Sequence, residues 1–296
     1  MVKQRIQLRN VQNVAASKTA LIELPVGKRY HQIILQHGYS AGTNTVAGAC
    51  TNIAEIRVKV NGRVQRVMSG TQLRDMNILN GDEQLAGGTA RSSYDGNGVP
   101  NTAPGVALTI FFAEPWRESK SDQEALAWPT NGFDSFQIEV DFGAASTPTL
   151  SAWAVVDNFQ AKGPVSIVKW LRQSFAASGT SFDISTLDRR DWVQQLSIYP
   201  DSGASNAITQ VTLRLAGNVL HELTGSANQA LLLGNRMTPL AASRTANIYD
   251  LVLDHDNLLG SAVLLEGQND VTLTIAAGSA MSGTSTVIIQ RLGPPE

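Results

Sequence analysis

Asn52–Val64 reads NIAEIRVKVNGRV, and Asn206–Val219 reads NAITQVTLRLAGNV. In both stretches apolar and polar residues alternate, which is typical of a strand buried on one face. The aligned apolar residues are Ile56, Val58 and Val60 in the first stretch and Val211, Leu213 and Leu215 in the second. Asn61-Gly62 is a strong signal for a two-residue type I′ hairpin turn, and Ala216-Gly217 is a weaker one. The sequence therefore predicts the same β-hairpin twice.

The correspondence extends along both halves of the chain. Asn13–Arg29 aligns with Ser174–Arg190, and Phe136–Val156 aligns with Val271–Gln290. Each copy is predicted to close with a strand, a six- or seven-residue turn and a final strand, with Thr149 aligned to Thr284. Chance similarity between alternating strands is the alternative, but several matches in the same order favour a duplication. We expect copies over about residues 8–157 and 165–293, joined near the chain break marked by Gly163-Pro164.

A short helical segment is predicted after each hairpin. Leu73, Met76 and Leu79 lie at helical spacing before Gly81, and Leu231-Leu232 precede Gly234. An irregular loop is the alternative in both places. The following stretch of the first copy, Gly81–Gly105, has no periodicity and is rich in Gly, Ser, Asn and Pro. It predicts a long loop insertion at an exposed end.

Composition excludes several classes of protein. The chain has 296 residues, 43% of them hydrophobic, with a formal net charge of -2. This balance does not support a dominant role in binding nucleic acid. A single cysteine, Cys50, excludes an internal disulfide and predicts a buried, inert thiol. The N-terminus lacks the apolar core of a signal peptide, so we expect a soluble protein made in a reducing cytoplasm.

Strand signals recur every 8–15 residues and helices are few, which favours sandwiches or barrels. We predict an all-β fold of two tandem eight-stranded jelly-roll β-sandwiches, a double jelly roll, with a few short helices in loops. The predicted domains are residues 1–158 and 159–296. An immunoglobulin-like sandwich lacks support, because its Cys…Trp…Cys signature is absent.

The sequence resembles a known family over most of its length. The segments that carry the resemblance are LRNVQNVAASKTALIELPVGKRY (Leu8–Tyr30), IRVKVNGRV (Ile56–Val64) and WLRQSFAASGTSFDI (Trp170–Ile184). They resemble the double jelly-roll major capsid proteins of tailless icosahedral phages with an internal membrane, the corticovirus type most of all.

The resemblance implies a viral major capsid protein of the virion. Its subunits would form pseudo-hexagonal homotrimers that tile an icosahedral shell, with the strands roughly perpendicular to it. The implied partners are neighbouring capsomers, penton and minor capsid or membrane proteins, and a lipid surface, with no direct contact to nucleic acid. A tandem β-sandwich that binds carbohydrate or attaches to a host is the alternative function, since Gly, Asn and Asp in long loops also suit carbohydrate contact.

Two patterns typical of enzymes are incomplete in this sequence. Gly38–Gly42 matches G-x-S-x-G with Ser40 as nucleophile, but the residues that follow predict no helix, which a nucleophile elbow needs. A metal-binding bicupin needs clustered histidines. The four histidines form no H-x-H pair, and His31 and His37 would share a strand face about 20 Å apart. They are His31, His37, His221 and His255. We predict no catalytic, cofactor-binding or metal-binding residues.

Four charged segments have alternative interpretations. Asp250, Asp254, Asp256 and Asn257 form either a solvated turn or a calcium site at a subunit contact. Asp188–Asp191 is predicted to be a self-neutralising surface salt-bridge patch. Val165–Phe175, with Lys169, Trp170 and Arg172, is either the first strand of the second copy or a contact with an anionic membrane. Lys3, Arg5 and Arg9 would face the shell interior or reach into a neighbouring subunit.

Overall fold

The fold is given by a computed structural model. It describes residues 2–38, 46–81, 106–144, 147–161, 165–200, 208–240, 244–254, 262–268 and 270–296. The chain divides into two compact units, the first mainly Met1–Ile167 and the second mainly Val168–Leu240 and Thr245–Gly293. Arg244 and Pro294–Glu296 belong to the first unit.

The described residues of the first unit form two antiparallel sheets and three short helices. Its elements are β1 (Gln4–Leu8), β2 (Val11–Gln12), β3 (Thr19–Glu23), β4 (Arg29–Gly38), α1 (Val46–Asn52), β5 (Ile53–Val60), β6 (Arg63–Met68), α2 (Gly70–Leu79), β7 (Val106–Phe111), α3 (Lys120–Ala125), β8 (Trp128–Pro129), β9 (Phe136–Phe142) and β10 (Thr149–Asp157). One sheet has the order β1-β10-β4-β7, with β8 beside β4, and the other runs β6-β5-β9-β3-β2.

The second unit repeats this arrangement. Its elements are β11 (Ile167–Ala176), β12 (Gly179–Ile184), β13 (Trp192–Tyr199), β14 (Ile208–Leu215), β15 (Asn218–Thr224), α4 (Gly225–Gly234), β16 (Tyr249–Val252), β17 (Val263–Leu264), β18 (Val271–Met281) and β19 (Thr284–Gly293). Its sheets run β16-β13-β19-β11 and β12-β18-β14-β15, with β17 beside β13.

The two units share one strand topology. If the short strands β2, β8 and β17 are set aside, the described residues of each unit form eight main strands. In both units one sheet has the order first-eighth-third-sixth, and the other has the order fifth-fourth-seventh-second. This is the jelly-roll arrangement of two packed Greek-key sheets. The predicted double jelly roll is confirmed.

The cross-strand register is also the same in both units. The opposed core pairs are Ile56–Val140, Val58–Ile138 and Val60–Phe136 in the first unit and Val211–Ile275, Leu213–Leu273 and Leu215–Val271 in the second. All of these residues except Leu215 are buried, and Leu215 is half-buried. The alignment of the two halves, made from alternation alone, therefore agrees with the hydrogen-bonded register in both units.

The hairpin turns have the positive φ angles that the sequence predicts for type I′ turns. Asn61 and Gly62 have φ of 51° and 78°, and Ala216 and Gly217 have φ of 49° and 79°. Positive φ at both central residues defines the type I′ turn. Alanine therefore occupies a left-handed position in the second copy, where asparagine or glycine is the usual choice.

Both predicted helices begin directly after the fifth main strand. Ser69 caps α2, because its hydroxyl oxygen accepts a hydrogen bond from the Gln72 N–H. In turn, the side-chain oxygen of Gln72 accepts a hydrogen bond from the Ser69 N–H. Thr224 caps α4 by accepting from the Ala227 N–H. A capping side chain satisfies an N–H group that has no partner within the helix, which favours the start of the helix at that residue.

Two expectations from the sequence are wrong at least in part, and a third falls outside the described residues. The helix α1 makes the interpretation that no helix follows Gly38–Gly42 wrong, although Ser40 itself lies outside the described residues. The six- or seven-residue closing turn is confirmed between β9 and β10 but is wrong in the second copy, where β18 continues to Met281 and β19 starts at Thr284. The insertion predicted over Gly81–Gly105 lies, apart from Gly81, outside the described residues.

A β-bulge occurs at the same place in the third main strand of each unit. Gln32 opposes Val155 and Tyr30 opposes Val156, so His31 is the extra residue. In the second unit Gln194 is the extra residue between Val193 and Gln195. The bulge puts Tyr30 in the aromatic core against Phe112 and Phe136, and it puts His31 beside Asp157. His31 and His37 therefore do not continue one regular face, contrary to the sequence prediction.

His37 is buried at the other end of β4 and stacks on Phe142. Its Nδ1 lies 3.1 Å from the Thr149 carbonyl, and its Nε2 lies 3.2 Å from Asn52 Nδ2. These distances fit a neutral ring that donates from Nδ1 and accepts at Nε2. A proton on Nε2 would face the Asn52 amide N–H, which is also a donor. Burial lowers the pKa of His37, and its bond to the backbone only partly opposes this.

We expect acid to destabilise the first unit through His37. A lowered pKa in the folded state means that the unfolded chain binds the proton first, so stability is lost as pH falls below about 6.5. Chemical denaturation at about pH 7.5 and 5.5 should give a smaller free energy of unfolding at the lower pH. His37→Gln should reduce this difference, with His31 supplying part of the remainder because burial also lowers its pKa. An equal pH dependence in His37→Gln and the wild type would contradict this assignment.

Candidate assembly surfaces

The helix α4 and the strand β15 before it expose apolar residues whose counterparts on α2 and β6 are buried. The register pairs His221 with Leu213 and Arg66 with Val58, so Leu220 corresponds to Gln65. Leu220 is 43% exposed and Gln65 is 3% exposed. Counting from Gly225 and Gly70, Leu233 corresponds to Ile78, with exposures of 50% and 1%. Leu231 is also exposed, on the opposite side of α4 from Leu233, with the buried Leu232 between them.

The first unit has an unusual apolar surface of its own. On β4, Ile33 and Leu35 point into the core, so Ile34 points out of the sandwich. Ile34 opposes Trp153 on β10, and Phe111 lies on the same outer surface at the end of β7. These outward side chains are half-buried in a place where a solvated sheet normally carries polar residues. We call Ile34, Phe111 and Trp153 the sheet face.

The counterparts of the sheet face in the second unit are buried. The bulge aligns His31 with Gln194, so Ile34 corresponds to Ser197, and the registers align Trp153 with Ile288. Phe111 opposes Gln32, as Val252 opposes Gln195. The covered counterparts are Ser197, Val252 and Ile288. The sheet face of the first unit is therefore accessible in the single chain, whereas the matching residues of the second unit are not.

An ionic cluster lies at one end of the sheet face. Arg29 Nη2 is 2.5 Å from Asp157 and 3.2 Å from Glu124, and Lys3 Nζ is 2.7 Å from Glu124. His31 Nε2 is 2.8 Å from Asp157. Burial acts to raise the pKa of Asp157, but hydrogen bonds from Arg29, His31 and the Phe159 N–H outweigh it and lower the pKa to about 2. The cluster ties the residues before β1 to β4, β10 and α3.

The same cluster contains a possible ligand set that sequence reasoning missed. The ligand atoms of His31, Glu124 and Asp157 lie within 4.8 Å of one another. Both carboxylates already bind a cationic side chain, Arg29 or Lys3, so the arrangement is that of an ion-pair network. Glu124 was missed because it lies on the short helix α3, far in sequence from His31. A search for H-x-H spacing does not register such a residue.

The segment with Lys169, Trp170 and Arg172 forms strand β11, as one of the two interpretations predicts. Lys169 and Trp170 are buried in the single chain, which contradicts a membrane contact by these two side chains. Among the described helices, none combines the length and apolar character that crossing a bilayer requires.

The residues Asp188–Asp191 form more than a surface patch. Asp188 pairs with exposed Arg190 at 2.5 Å and with buried Arg291 at 3.0 Å. Asp191 pairs with Lys169 at 2.6 Å. The segment therefore neutralises two buried cations, and the purely superficial interpretation is wrong.

The remaining candidate residues have structural environments or lie outside the described part. Cys50 is buried, and burial raises its thiol pKa to about 12, as expected of an inert thiol. Asp250 accepts from Ser197 Oγ at 2.6 Å, and Asp254 is buried. His255, Asp256 and Asn257 lie outside the described residues, so the calcium site stays a prediction. His221 lies 2.9 Å from the Tyr249 hydroxyl.

A family model for the viral coat protein P2 N-terminal domain matches residues 5–157. The match covers more than half of the chain and runs from β1 to the end of β10. The chain belongs to the viral coat protein P2 family. It is therefore a viral capsid protein and a component of the virion, and the resemblance read from the sequence is confirmed.

Solved structures match this coat protein over both units. The major capsid protein P2 of bacteriophage PM2 has a TM-score of 0.76 at 19% identity, covering 99% of this chain and 98% of that one. A chain of Sulfolobus turreted icosahedral virus has a TM-score of 0.69 at 12% identity, covering 99% and 91%. The Faustovirus major capsid protein has a TM-score of 0.64 at 8% identity, covering 100% and 90%. No curated protein sequence is significantly similar to the coat protein.

Proposed function

We propose that this coat protein assembles into homotrimeric, pseudo-hexagonal capsomers that tile an icosahedral shell around an internal membrane. The proposal takes residues 1–158 and 159–296 as two copies of one duplicated domain. The identical strand orders and core registers of the two units support this division. Three chains then supply six similar sandwiches, so a three-fold symmetric block presents six nearly equal edges.

The single observation that carries the trimer is the exposed apolar surface of each unit. Leu220, Leu231 and Leu233 are all more than a third exposed. Leaving these side chains in water forgoes about 25 cal/mol for each Å² that a partner would bury. Burial of exposed apolar side chains between subunits favours association. A shell protein must bury these surfaces against other copies of itself.

The wider partners follow from the same role. Neighbouring capsomers, penton and minor capsid or membrane proteins would contact the outer edges of the trimer. The lipid layer rests on the resemblance to internal-membrane phages. Lipid extraction from purified particles, followed by thin-layer chromatography, tests it directly. The shell role uses no catalytic group.

We expect the purified chain to elute as a trimer. Size-exclusion chromatography with light scattering should give about three times the subunit mass of 31.7 kDa at micromolar concentration. Negative-stain micrographs of the same fraction should show particles with a six-sided outline. A monomer that persists across a concentration series up to about 100 μM would overturn the proposed trimer.

A further inference from the structure

A cavity of about 370 Å³ lies at the end of the sheet face that carries the ionic cluster. Its floor is one row of side chains that crosses β1, β10, β4 and β7. Arg5 opposes Val155, and Val155 opposes Gln32. Gln32 in turn opposes Phe111, and every member of the row lines the cavity. Directly opposed residues of neighbouring strands point to the same face of a sheet, so the row is continuous.

The chain that follows β7 forms a wall of the cavity and is held by its own hydrogen bonds. The Ala113 N–H donates to the His31 carbonyl at 2.9 Å, and the Glu114 N–H donates to the Gln123 carbonyl at 3.1 Å. Gln123 Nε2 donates to the Arg117 carbonyl at 2.8 Å. Ala113 and Gln123 both line the cavity, so its shape is set before a ligand binds.

The charges at the cavity do not balance. Glu124 pairs with Lys3 at 2.7 Å, and Asp157 pairs with Arg29 at 2.5 Å. Arg5 is a further cation, and it has no ion-pair partner among the described residues. One positive charge is therefore left over at this end of the sheet.

The floor is polar at one end and apolar at the other. The Arg5 guanidinium offers a fork of N–H donors that fits a carboxylate. The Gln32 amide is a neutral donor with no side-chain hydrogen bond to any described residue. Phe111 and Pro115 form the apolar end. Neighbouring strands lie about 4.8 Å apart, so the backbones of Arg5 on β1 and Phe111 on β7 are about 14 Å apart.

We infer that this cavity binds an organic monoanion, a carboxylate joined to a short apolar chain. The carboxylate pairs with Arg5 and accepts from the Gln32 amide, and the apolar chain lies over Val155 towards Phe111. A single negative charge balances the surplus cation, whereas a phosphate ester carries a larger charge. The site goes beyond the shell role and does not depend on the trimer, because all of its lining residues belong to the first unit of one chain.

Isothermal titration calorimetry of the full chain with octanoate tests this site. We expect a dissociation constant of about 1 mM or lower. Acetate lacks the apolar chain and octanol lacks the charge, so each should bind at least about tenfold more weakly. Acetate that binds as tightly as octanoate would mean a simple ion on a surface arginine, which overturns the site. Tighter binding of octyl phosphate than of octanoate would overturn the carboxylate assignment.

Substitutions locate the binding. Arg5→Gln should weaken octanoate binding by about tenfold or more and leave the chain folded, since Arg5 is exposed. Arg9→Gln is the matched control, because Arg9 is also an exposed arginine near the start of the chain but does not line the cavity. It should change the affinity by less than about twofold. Gln32→Glu places a negative charge on the floor and should weaken binding as much as Arg5→Gln does.

The outcomes separate this site from the proposed function. Octanoate binding that is absent in the wild type, or unchanged in both Arg5→Gln and Gln32→Glu, overturns the site. Light scattering of the same samples reports the trimer independently. A trimer that does not bind octanoate leaves the shell role intact, and a monomer that binds octanoate leaves the site intact.

Discussion

Gly70→Ala is expected to lower the free energy of unfolding of the first unit by about 3 kcal/mol. A Cβ at this first position of α2 would lie 2.8 Å from the Ile53 Cβ and closer still to the Cys50 carbonyl oxygen. The oxygen belongs to the backbone, so no side-chain rotation can relieve the overlap. Either α2 or the end of α1 must move, which disturbs the start of β5.

Gly225→Ala repeats this experiment in the second unit with a smaller expected loss, about 2 kcal/mol. The added Cβ would lie 2.7 Å from the Ile208 carbonyl oxygen at the start of β14. Differential scanning calorimetry and urea denaturation measure both losses. The order of the two effects, with Gly70→Ala the larger, follows from the number of close atoms.

Gly234→Ala is the matched control, because a Cβ there meets nothing within 4 Å. It lies at the other end of α4 and should be neutral or stabilising by up to about 1 kcal/mol, as alanine favours helix. If Gly225→Ala were as well tolerated as Gly234→Ala, the close approach of α4 to β14 would not hold.

Arg66→Ala is expected to cost the first unit about 4 kcal/mol. The guanidinium is buried on two aromatic rings, 5.1 Å from Phe112 and 4.9 Å from Trp128, and Nη1 donates to the Phe111 carbonyl at 2.5 Å. Burial lowers the pKa of Arg66 to about 9, which leaves it charged at neutral pH. Its removal opens a cavity among the rings and leaves that carbonyl without its donor.

Two further substitutions separate packing from charge. Arg66→Met keeps most of the volume, so it should recover about half of the loss if packing between the rings dominates. Arg63→Ala on the same strand removes an exposed arginine and should change stability by less than about 0.5 kcal/mol. Urea denaturation followed by circular dichroism measures the loss, and tryptophan fluorescence, to which Trp128 contributes with the four other tryptophans, gives a second readout. A loss below about 1 kcal/mol for Arg66→Ala would contradict the structural role given to this residue.

Local sequence signals were sufficient wherever a strand or turn depends on its own residues. Alternation in Ile53–Val60 and Ile208–Leu215 predicts strands with one buried face, and both occur. Asn61-Gly62 predicts a type I′ turn because its backbone needs positive φ, and this is observed. Such signals depend only on residues close in sequence, so they can be read without knowing the rest of the fold.

Signals failed where the deciding contact is distant in sequence. The short helices α1 and α3, of seven and six residues, are too brief for a helical period to stand out. The bulge at His31 depends on the register of β4 against β10, more than a hundred residues later. Glu124 joins His31 and Asp157 only because the sandwich brings α3 to that end of the sheet.

The sequence also could not predict which of two equivalent side chains is buried and which is exposed. Arg66 and His221 occupy equivalent positions on matching strands, yet one lies between aromatic rings and the other beside the Tyr249 hydroxyl. Ile78 and Leu233 are both large apolar residues near the end of a capped helix. Nothing in either segment indicates that one is buried and the other exposed.

By itself, the sequence determined that one β-sandwich occurs twice, because alternation, turn residues and helix caps act over a few residues and are repeated in order. It also carried the likeness to capsid proteins. Only the tertiary structure decided which copy leaves its helix accessible and which leaves its sheet accessible. Burial is a property of the whole packed chain, since water is excluded from a side chain by neighbours that are distant in sequence.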